Sequence, residues 1–350
     1  MNPASPPVPI VLVGCGAVAR LFYVPALQEL ARHGLARVVA VVDPSVAART
    51  QLGAALGAQP CATLAEALAL GGALAIIATP PKFHREQVEA AFAAGLDVLC
   101  EKPVAPRATD VEAMIATATR ADRYLAAGHY KRFFPAHVAL QQLIQLKTFG
   151  ALRTVDIVEG GKFGWPAATD SFFRKDQTPG GVLLDIGVHV LDLLLWWLGE
   201  PKAISYADDA DGGLEANCRF RGEFAGGVKV AMQLSRDWAT ANCYVFRFER
   251  ATVHSRVNAS NQLEVTFDGV PMTFAAELRT PLPATPAAPT APLETNPQAF
   301  IAQLVDVCAA VRSRRAPLVT GVDALRVTRL IEKCYATRQP LNQPWLAPTL

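Results

Sequence analysis

A glycine loop set between a strand and a helix places the tightest limit on how this chain folds. Val11-Leu-Val-Gly14-Cys15-Gly16-Ala17-Val18-Ala19 follows an apolar run that begins at Pro9. It opens a helical pattern that reaches His33, with Gly34 as its stop. Gly14 permits the tight turn, Gly16 lets the backbone approach a pyrophosphate, and Ala19 is small enough for helix–strand packing. The helix N-terminus then offers free N–H groups and its positive dipole end to phosphates. A dinucleotide site built on Gly14, Cys15, Gly16, Ala17 and Val18 is the expectation. Asp43 ends the next apolar strand, 24 residues after Ala19. A carboxylate there accepts hydrogen bonds from ribose hydroxyls and repels a 2′-phosphate. The next arginine, Arg49, falls within the following helix, so the reading favours NAD, with NADP as the alternative.

The pattern around this loop repeats. Strands at Arg37–Val42, Ala73–Ala78, Asp97–Cys100 and Tyr124–Ala127 alternate with helices at 44–56, 63–68, 84–94 and 110–120. Strands apolar throughout are buried on both faces, and their alternation with helices makes the fold a doubly wound parallel α/β sheet. From about residue 151 the texture changes to strands joined by turn signals such as Asp211-Gly212-Gly213. These span 152–159, 203–207, 215–223, 227–235, 243–249, 252–257 and 262–268. They predict an antiparallel sheet in an α+β second domain. Six prolines mark 280–297 as a loop or linker, and helices at 298–314 and 322–338 close the chain. The expected domains are 1–128 and 129–350.

Composition excludes several classes of partner. With 33 basic and 31 acidic residues the net charge is +2, which gives no electrostatic case for nucleic acid or an anionic membrane. The strongest later apolar stretch, Val188–Leu198, is interrupted by His189 and Asp192 and is too short to span a bilayer. Seven scattered cysteines without a C-x-x-C pair suit free thiols in a reducing cytosol, and a cytoplasmic location is the expectation.

Three segments carry chemistry. Thr79-Pro80-Pro81 and Glu101-Lys102-Pro103 both follow parallel strands, whose carboxyl ends border ligands in open α/β sheets. Lys102 is a cation poised beside the expected nicotinamide. His84 opens the helix after Thr79; a surface histidine and a cofactor contact compete as readings. Gly180-Gly181-Val-Leu-Leu-Asp185-Ile-Gly187-Val-His189-Val-Leu-Asp192 places Asp185 and His189 at i,i+4, on one helix face, with Asp192 continuing it. Ionisable groups inside an apolar helix need partners, and function commonly supplies the reason. A satisfied Asp–His tie between domains is the competing reading. No third ligand is evident, so no metal is expected. Arg132, Lys162, Trp165, Phe173 and Arg174, with Asp185 and His189, are the candidates for holding a substrate's hydroxyls.

Together these landmarks, with Arg132-Phe-Phe-Pro135, resemble the Gfo/Idh/MocA oxidoreductases over nearly the whole chain. The resemblance implies an NAD(P)-binding Rossmann domain and a C-terminal domain whose large open sheet often forms oligomer contacts, here a homodimer or homotetramer. It implies Lys102, Asp185 and His189 at the catalytic centre, with Thr79, Pro80, His84, Glu101 and Lys102 beside the cofactor, and suggests a cis Lys102–Pro103 bond. The implied reaction moves a hydride between nicotinamide and a hydroxyl or keto carbon of a sugar, cyclitol or related small polyol. A redox-neutral sugar elimination or glycoside cleavage, and a non-catalytic dinucleotide sensor, are the alternatives.

Overall fold

The computed structural model describes residues 6–166, 173–175, 178–277 and 297–341. Its first half follows the alternation read from the sequence. The elements are β1 (Val8–Val13), α1 (Val24–Arg32), β2 (Ala36–Val42), α2 (Val46–Leu56), β3 (Gln59–Cys61), α3 (Leu64–Ala69), β4 (Leu74–Ile77), α4 (His84–Ala93), β5 (Asp97–Cys100), α5 (Ala108–Arg120) and β6 (Leu125–Ala127). The six strands are parallel, in the order β3-β2-β1-β4-β5-β6. Every residue of β4 and β5 is buried, as central strands of such a sheet must be. The order reverses between β1 and β4, so the carboxyl ends of these two strands flank the crevice in which ligands of this fold sit.

One expectation needs refinement. The helix read from Ala17 to His33 contains a π-turn at Ala19–Tyr23, closed by the Val24 N–H donating to the Ala19 carbonyl, before α1 begins. Pro25 accounts for it. Proline has no N–H to give Leu21, and its ring would collide with that carbonyl in α-register; the wider turn moves the carbonyl aside. Two of the helices, α2 and α3, start on side-chain caps. Ser45 accepts the Ala48 N–H at the head of α2. Thr63 accepts the Glu66 N–H at the head of α3, while Glu66 reaches back to the Ala62 N–H.

The second half builds α6 (Pro135–Gln145), β7 (Leu152–Gly160), α7 (Val188–Leu198), β8 (Ala203–Asp208), β9 (Asn217–Glu223), β10 (Lys229–Ser235), β11 (Cys243–Phe248), β12 (Ala251–Arg256), β13 (Gln262–Phe267) and β14 (Val270–Ala275). Then come α8 (Gln298–Ser313), α9 (Gly321–Ala336) and the short β15 (Gln339–Pro340). The nine-stranded sheet runs β14-β13-β12-β11-β7-β10-β9-β8-β15. It is mostly antiparallel; β7 with β10, and β8 with β15, pair parallel. Val230, Met232 and Leu234 alternate into a core that also holds Leu193, Phe220 and Phe246. Lys229, on the opposite face of β10, is exposed.

The chain does not divide at a single point. Among the described residues the first compact unit holds 6–130, 166 and 297–325; the second holds 131–165, 173–175, 178–277 and 326–341. The sequence reading assigned all of 129–350 to the second domain. Instead α8 packs with the first unit, because its apolar face is wide: Phe300, Leu304 and Cys308 join the cluster of Tyr23, Leu27 and Leu30. The Phe300 ring stacks on Phe22 and on Tyr130, each with centroids 4.8 Å apart. The proline-rich 280–297 segment lies outside the described residues up to its last position. No described helix is long and apolar enough to cross a membrane. All seven cysteines are free and buried.

Candidate active site

In the first unit the glycine loop is held by close backbone packing. Gly14 has φ +95°, and a Cβ there would lie 2.6 Å from the Ala78 carbonyl oxygen, so no other residue fits. Its N–H donates to Val42 O at 2.8 Å. A Cβ on Gly16 would meet nothing within 4 Å, which leaves open space over the loop. The Cys15 N–H donates to Asp43 Oδ2 at 2.9 Å. Burial pushes the Cys15 thiol up to about 12, so it is an inert packing group. Ala17 is buried and Val18 half-buried. Asp43 Oδ1 accepts the Ser45 N–H at 2.8 Å, and Arg49 donates to the Asp43 and Pro44 carbonyls at 3.1 and 3.0 Å. Asp43 therefore joins the end of β2 to the glycine loop; Ser45, two residues on, does the helix capping. An open Gly16, a fixed turn and a half-exposed carboxylate at the next strand end fit a dinucleotide with free ribose hydroxyls.

The two loops after β4 and β5 are tied to each other by His84. Its ring is fully buried. Nε2 lies 2.7 Å from Thr79 O, and Nδ1 lies 3.1 and 3.2 Å from Pro103 O and Val104 O. The surface reading of His84 is thus wrong, and both ring nitrogens face backbone carbonyls; burial lowers its proton affinity. The Thr79 hydroxyl donates to Gln87 Oε1 at 2.6 Å. Pro80 leads into a single 3₁₀ turn at Pro81–Phe83. Glu101 is buried as well. It accepts the Tyr23 hydroxyl at 2.6 Å and the Lys102 N–H at 3.0 Å, and burial raises its pKa. Tyr23 comes from the π-turn, so Glu101 anchors the backbone from which Lys102 projects. Lys102 is half-buried, and the Lys102–Pro103 bond is cis.

In the second unit the landmark segment is a π-turn, Leu183–Gly187, running into α7. Asp185 lies in the π-turn and His189 in the first turn of α7, where it is buried. The start of this segment is held by Glu215. Its Oε1 accepts the Gly181 and Leu183 N–H groups at 2.9 and 3.0 Å and the Tyr335 hydroxyl at 2.8 Å. Close packing explains the double glycine: a Cβ on Gly181 would sit 2.0 Å from the Glu215 carbonyl oxygen, and one on Gly180 2.0 Å from the Tyr335 hydroxyl.

The two aspartates of this segment are each met by an arginine from another element. Arg132 donates from Nε to Asp192 Oδ2 at 2.8 Å and from NH2 to Asp192 Oδ1 at 2.6 Å, a buried two-point pair. Arg132, expected to hold substrate, is instead committed to the helix. Arg236, which the sequence reading missed, donates to Asp185 Oδ2 at 3.2 Å. Its position directly after an amphipathic strand was the only available signal. Of the remaining substrate candidates, Lys162 and Arg174 are exposed, Trp165 is half-buried and Phe173 is exposed. Phe163, also unanticipated, meets Phe173 edge-on with centroids 4.7 Å apart. Lys131, with Glu159 of β7 and Tyr244 of β11, forms a second buried polar cluster. The proposed catalytic groups are thus divided, Lys102 in the first unit and Asp185 and His189 in the second. Among the described residues no group of His, Cys, Asp or Glu could hold a metal ion.

Comparison with known proteins matches the two halves of the chain separately. Residues 8–129 match the Gfo/Idh/MocA oxidoreductase family model with its NAD-binding Rossmann fold, and residues 137–256 match the Gfo/Idh/MocA C-terminal domain. The rhizopine catabolism protein MocA of Rhizobium meliloti is 31% identical over 191 residues, 54% of this chain and 56% of that protein. The D-glucoside 3-dehydrogenase of Escherichia coli is 30% identical over 233 residues, 63% of each chain. The match spans 52% and 56% of the lengths of the first two curated relatives. Among solved structures, the aldose-aldose oxidoreductase from Caulobacter crescentus, complexed with glycerol, superposes with a TM-score of 0.81 at 24% identity. It covers 95% of this chain and 97% of its own, a likeness of fold. With both domain models matched over more than half of its length, the chain belongs to the Gfo/Idh/MocA oxidoreductase family.

Proposed function

We propose that the protein is an NAD-dependent oxidoreductase acting on a hydroxyl or keto carbon of a sugar, cyclitol or small polyol. The observation that carries this reading is the pairing of a half-exposed Asp185 with a buried His189 on one helical segment. It stands in a chain whose other unit holds a dinucleotide loop. When bound, the nicotinamide supplies the hydride acceptor for oxidation, or the donor for reduction. Oxidation of an alcohol also needs a base for the hydroxyl proton, and imidazole suits that task near neutral pH. We assign it to His189 Nε2 or Nδ1, whichever the substrate reaches. Lys102 is assigned to hydrogen-bond the developing alkoxide. Asp185 accepts a hydrogen bond from a neighbouring hydroxyl. Relatives named D-glucoside 3-dehydrogenase and inositol 2-dehydrogenase support a polyhydroxylated substrate.

The test is a panel of sugars, cyclitols and polyols incubated with the purified protein and NAD, read by NADH absorbance and product chromatography. Net NADH with at least one member supports the reading. Product without net NADH assigns the redox-neutral alternative, and binding of NAD without turnover of any member assigns the sensor.

Cofactor choice gives a further expected result. Asp43→Ala removes the ribose acceptor and leaves the Arg49 guanidinium, which contacts the Asp43 and Pro44 carbonyls, at the same corner. NAD binding is expected to weaken about tenfold while the preference over NADP shrinks, a hydrogen-bond-sized effect. Titration of both reduced cofactors by fluorescence checks it; tighter NADPH than NADH binding by the wild type would overturn the assignment to Asp43.

A further inference from the structure

We propose that Tyr23 is a positioning residue for the hydride reaction: it holds Glu101 as a buried anion behind Lys102, and that anion keeps the Lys102 ammonium charged and its loop in place. The inference rests on the assignment of Lys102 to the developing alkoxide and deepens it.

The residues involved all belong to the first unit. Glu101 stands directly after β5 and is 6% exposed; Tyr23, in the π-turn, is fully buried. The two carboxylate oxygens meet two donors. Oε1 accepts the Tyr23 hydroxyl at 2.6 Å, and Oε2 accepts the Lys102 N–H at 3.0 Å. An ionised carboxylate is acceptor-only and matches two donors, whereas a protonated carboxyl or a glutamine amide carries a donor of its own. The chain also makes room for this group. A Cβ on Gly128, which follows β6, would lie 3.0 Å from Glu101 Cα and 3.1 Å from Oε2. Tyr23 is fixed in turn by Phe300 of α8, whose ring meets it edge-on with centroids 5.2 Å apart.

Burial makes a carboxylate costly to charge, and it raises the Glu101 pKa; the Tyr23 hydroxyl, the Lys102 N–H and the Lys102 charge act the other way. Tyr23 stays protonated, because burial first and the Glu101 charge second push it well above the usual phenol range. Its O–H is therefore a standing donor. Three more titratable groups sit at this corner. Burial and the Glu101 charge hold the Cys100 thiol neutral. His129 is buried next to Gly128, and the Tyr130 ring stacks on Phe300. From α8 the uncharged Gln303 faces Tyr23. Loss of the Tyr23 hydroxyl makes Glu101 take up its proton at higher pH. Lys102 then loses the opposite charge behind it, and with it part of its hold on an alkoxide.

Tyr23→Phe removes the hydroxyl and keeps the ring on Phe300. The first readout needs no cofactor. The full chain is treated at pH 7 with a trace of an amine-acetylating reagent, and labelling of Lys102 is measured by peptide mass spectrometry against the exposed Lys229. The ratio is expected to rise about fivefold in Tyr23→Phe, because the uncharged amine is the form that reacts. Glu101→Gln should give the same rise, and the double variant no more than either alone, since the two residues act as one. The second readout is turnover of an active panel member with NAD. For Tyr23→Phe, kcat should fall about tenfold at pH 6.5 yet stay within about threefold of wild type at pH 9, where Glu101 ionises without the hydroxyl, and KM should hold within about twofold. A purely structural loss would be the same at both pH values. A labelling ratio within about twofold of wild type, or an equal kcat deficit at both pH values, would overturn the proposal. If Tyr23→Phe does not fold, Glu101→Gln is judged by the same labelling criterion. A wild type that turns over no panel member removes the reading of Lys102 as catalytic; the labelling ratio then decides alone whether Tyr23 and Glu101 hold its charge.

Discussion

Asp192→Ala is expected to destabilise the protein by ~3–5 kcal/mol, the cost of leaving one member of a buried ion pair without the other. Asp192 is wholly buried, and both its oxygens accept from Arg132. The Arg132 guanidinium also lies 5.6 Å from the Trp196 ring, so removal of the carboxylate strands a cation against an aromatic and an apolar core. Urea unfolding followed by tryptophan fluorescence reads this directly, since Trp196 and Trp197 sit in α7. Replacing both partners, Arg132→Met with Asp192→Leu, should restore much of the loss, because an apolar pair carries no desolvation cost. A midpoint for Asp192→Ala equal to wild type would show that the pair contributes nothing to the fold. The expected size also separates Arg132 from the substrate residues: its loss should lower stability before it changes any KM.

Lys102→Ala is expected to lower kcat by ~10²-fold or more while NAD binding stays within a few-fold, the scale of a lost proton-transfer or oxyanion partner. The backbone at Lys102 is held by Glu101 through the Lys102 N–H, and Glu101 is held by Tyr23. The next two carbonyls lie against His84. These contacts are made by the backbone at 102–104 and do not use the Lys102 side chain. Steady-state kinetics on an active panel member, with cofactor titration as the control, decide it. Turnover near the wild-type rate would take Lys102 out of the mechanism.

The first unit was almost wholly legible because each of its signals is local. The glycine loop, the apolar strands and the glycine stops announce themselves within a few residues. Asp185, His189 and Lys102 stood out for a related reason: charge inside an apolar run is visible from the run itself. Arg236 and the true role of Arg132 were hidden because both depend on what lies across space, 51 and 60 residues away in sequence. His84 misled for the same reason, since nothing near it in sequence shows that it faces the Pro103 and Val104 carbonyls. The strand β14 was missed although Asp268-Gly269 precedes it. Both residues have positive φ, 46° and 83°, which is the two-residue hairpin turn that this dipeptide favours. The π-turn was likewise announced by Pro25, and the missed helix α6 by Pro135 at its first position.

The return of α8 to the first unit has a consequence for biosynthesis. A ribosome that has released residues 6–130 has delivered all six strands of the parallel sheet, yet not the helix whose Phe300, Leu304 and Cys308 cover Tyr23 and Leu27. Some 170 residues intervene between Tyr130 and Phe300, so at ~5–20 residues per second that apolar flank waits on the order of ten to thirty seconds for its cover. The nascent chain carries an exposed sticky surface throughout the synthesis of the other unit, which is the window in which holdase chaperones act. For the same reason a fragment cut after residue 130 retains the glycine loop and Asp43 but lacks part of its own core, and expression of the dinucleotide unit alone requires 297–325 to be spliced back on.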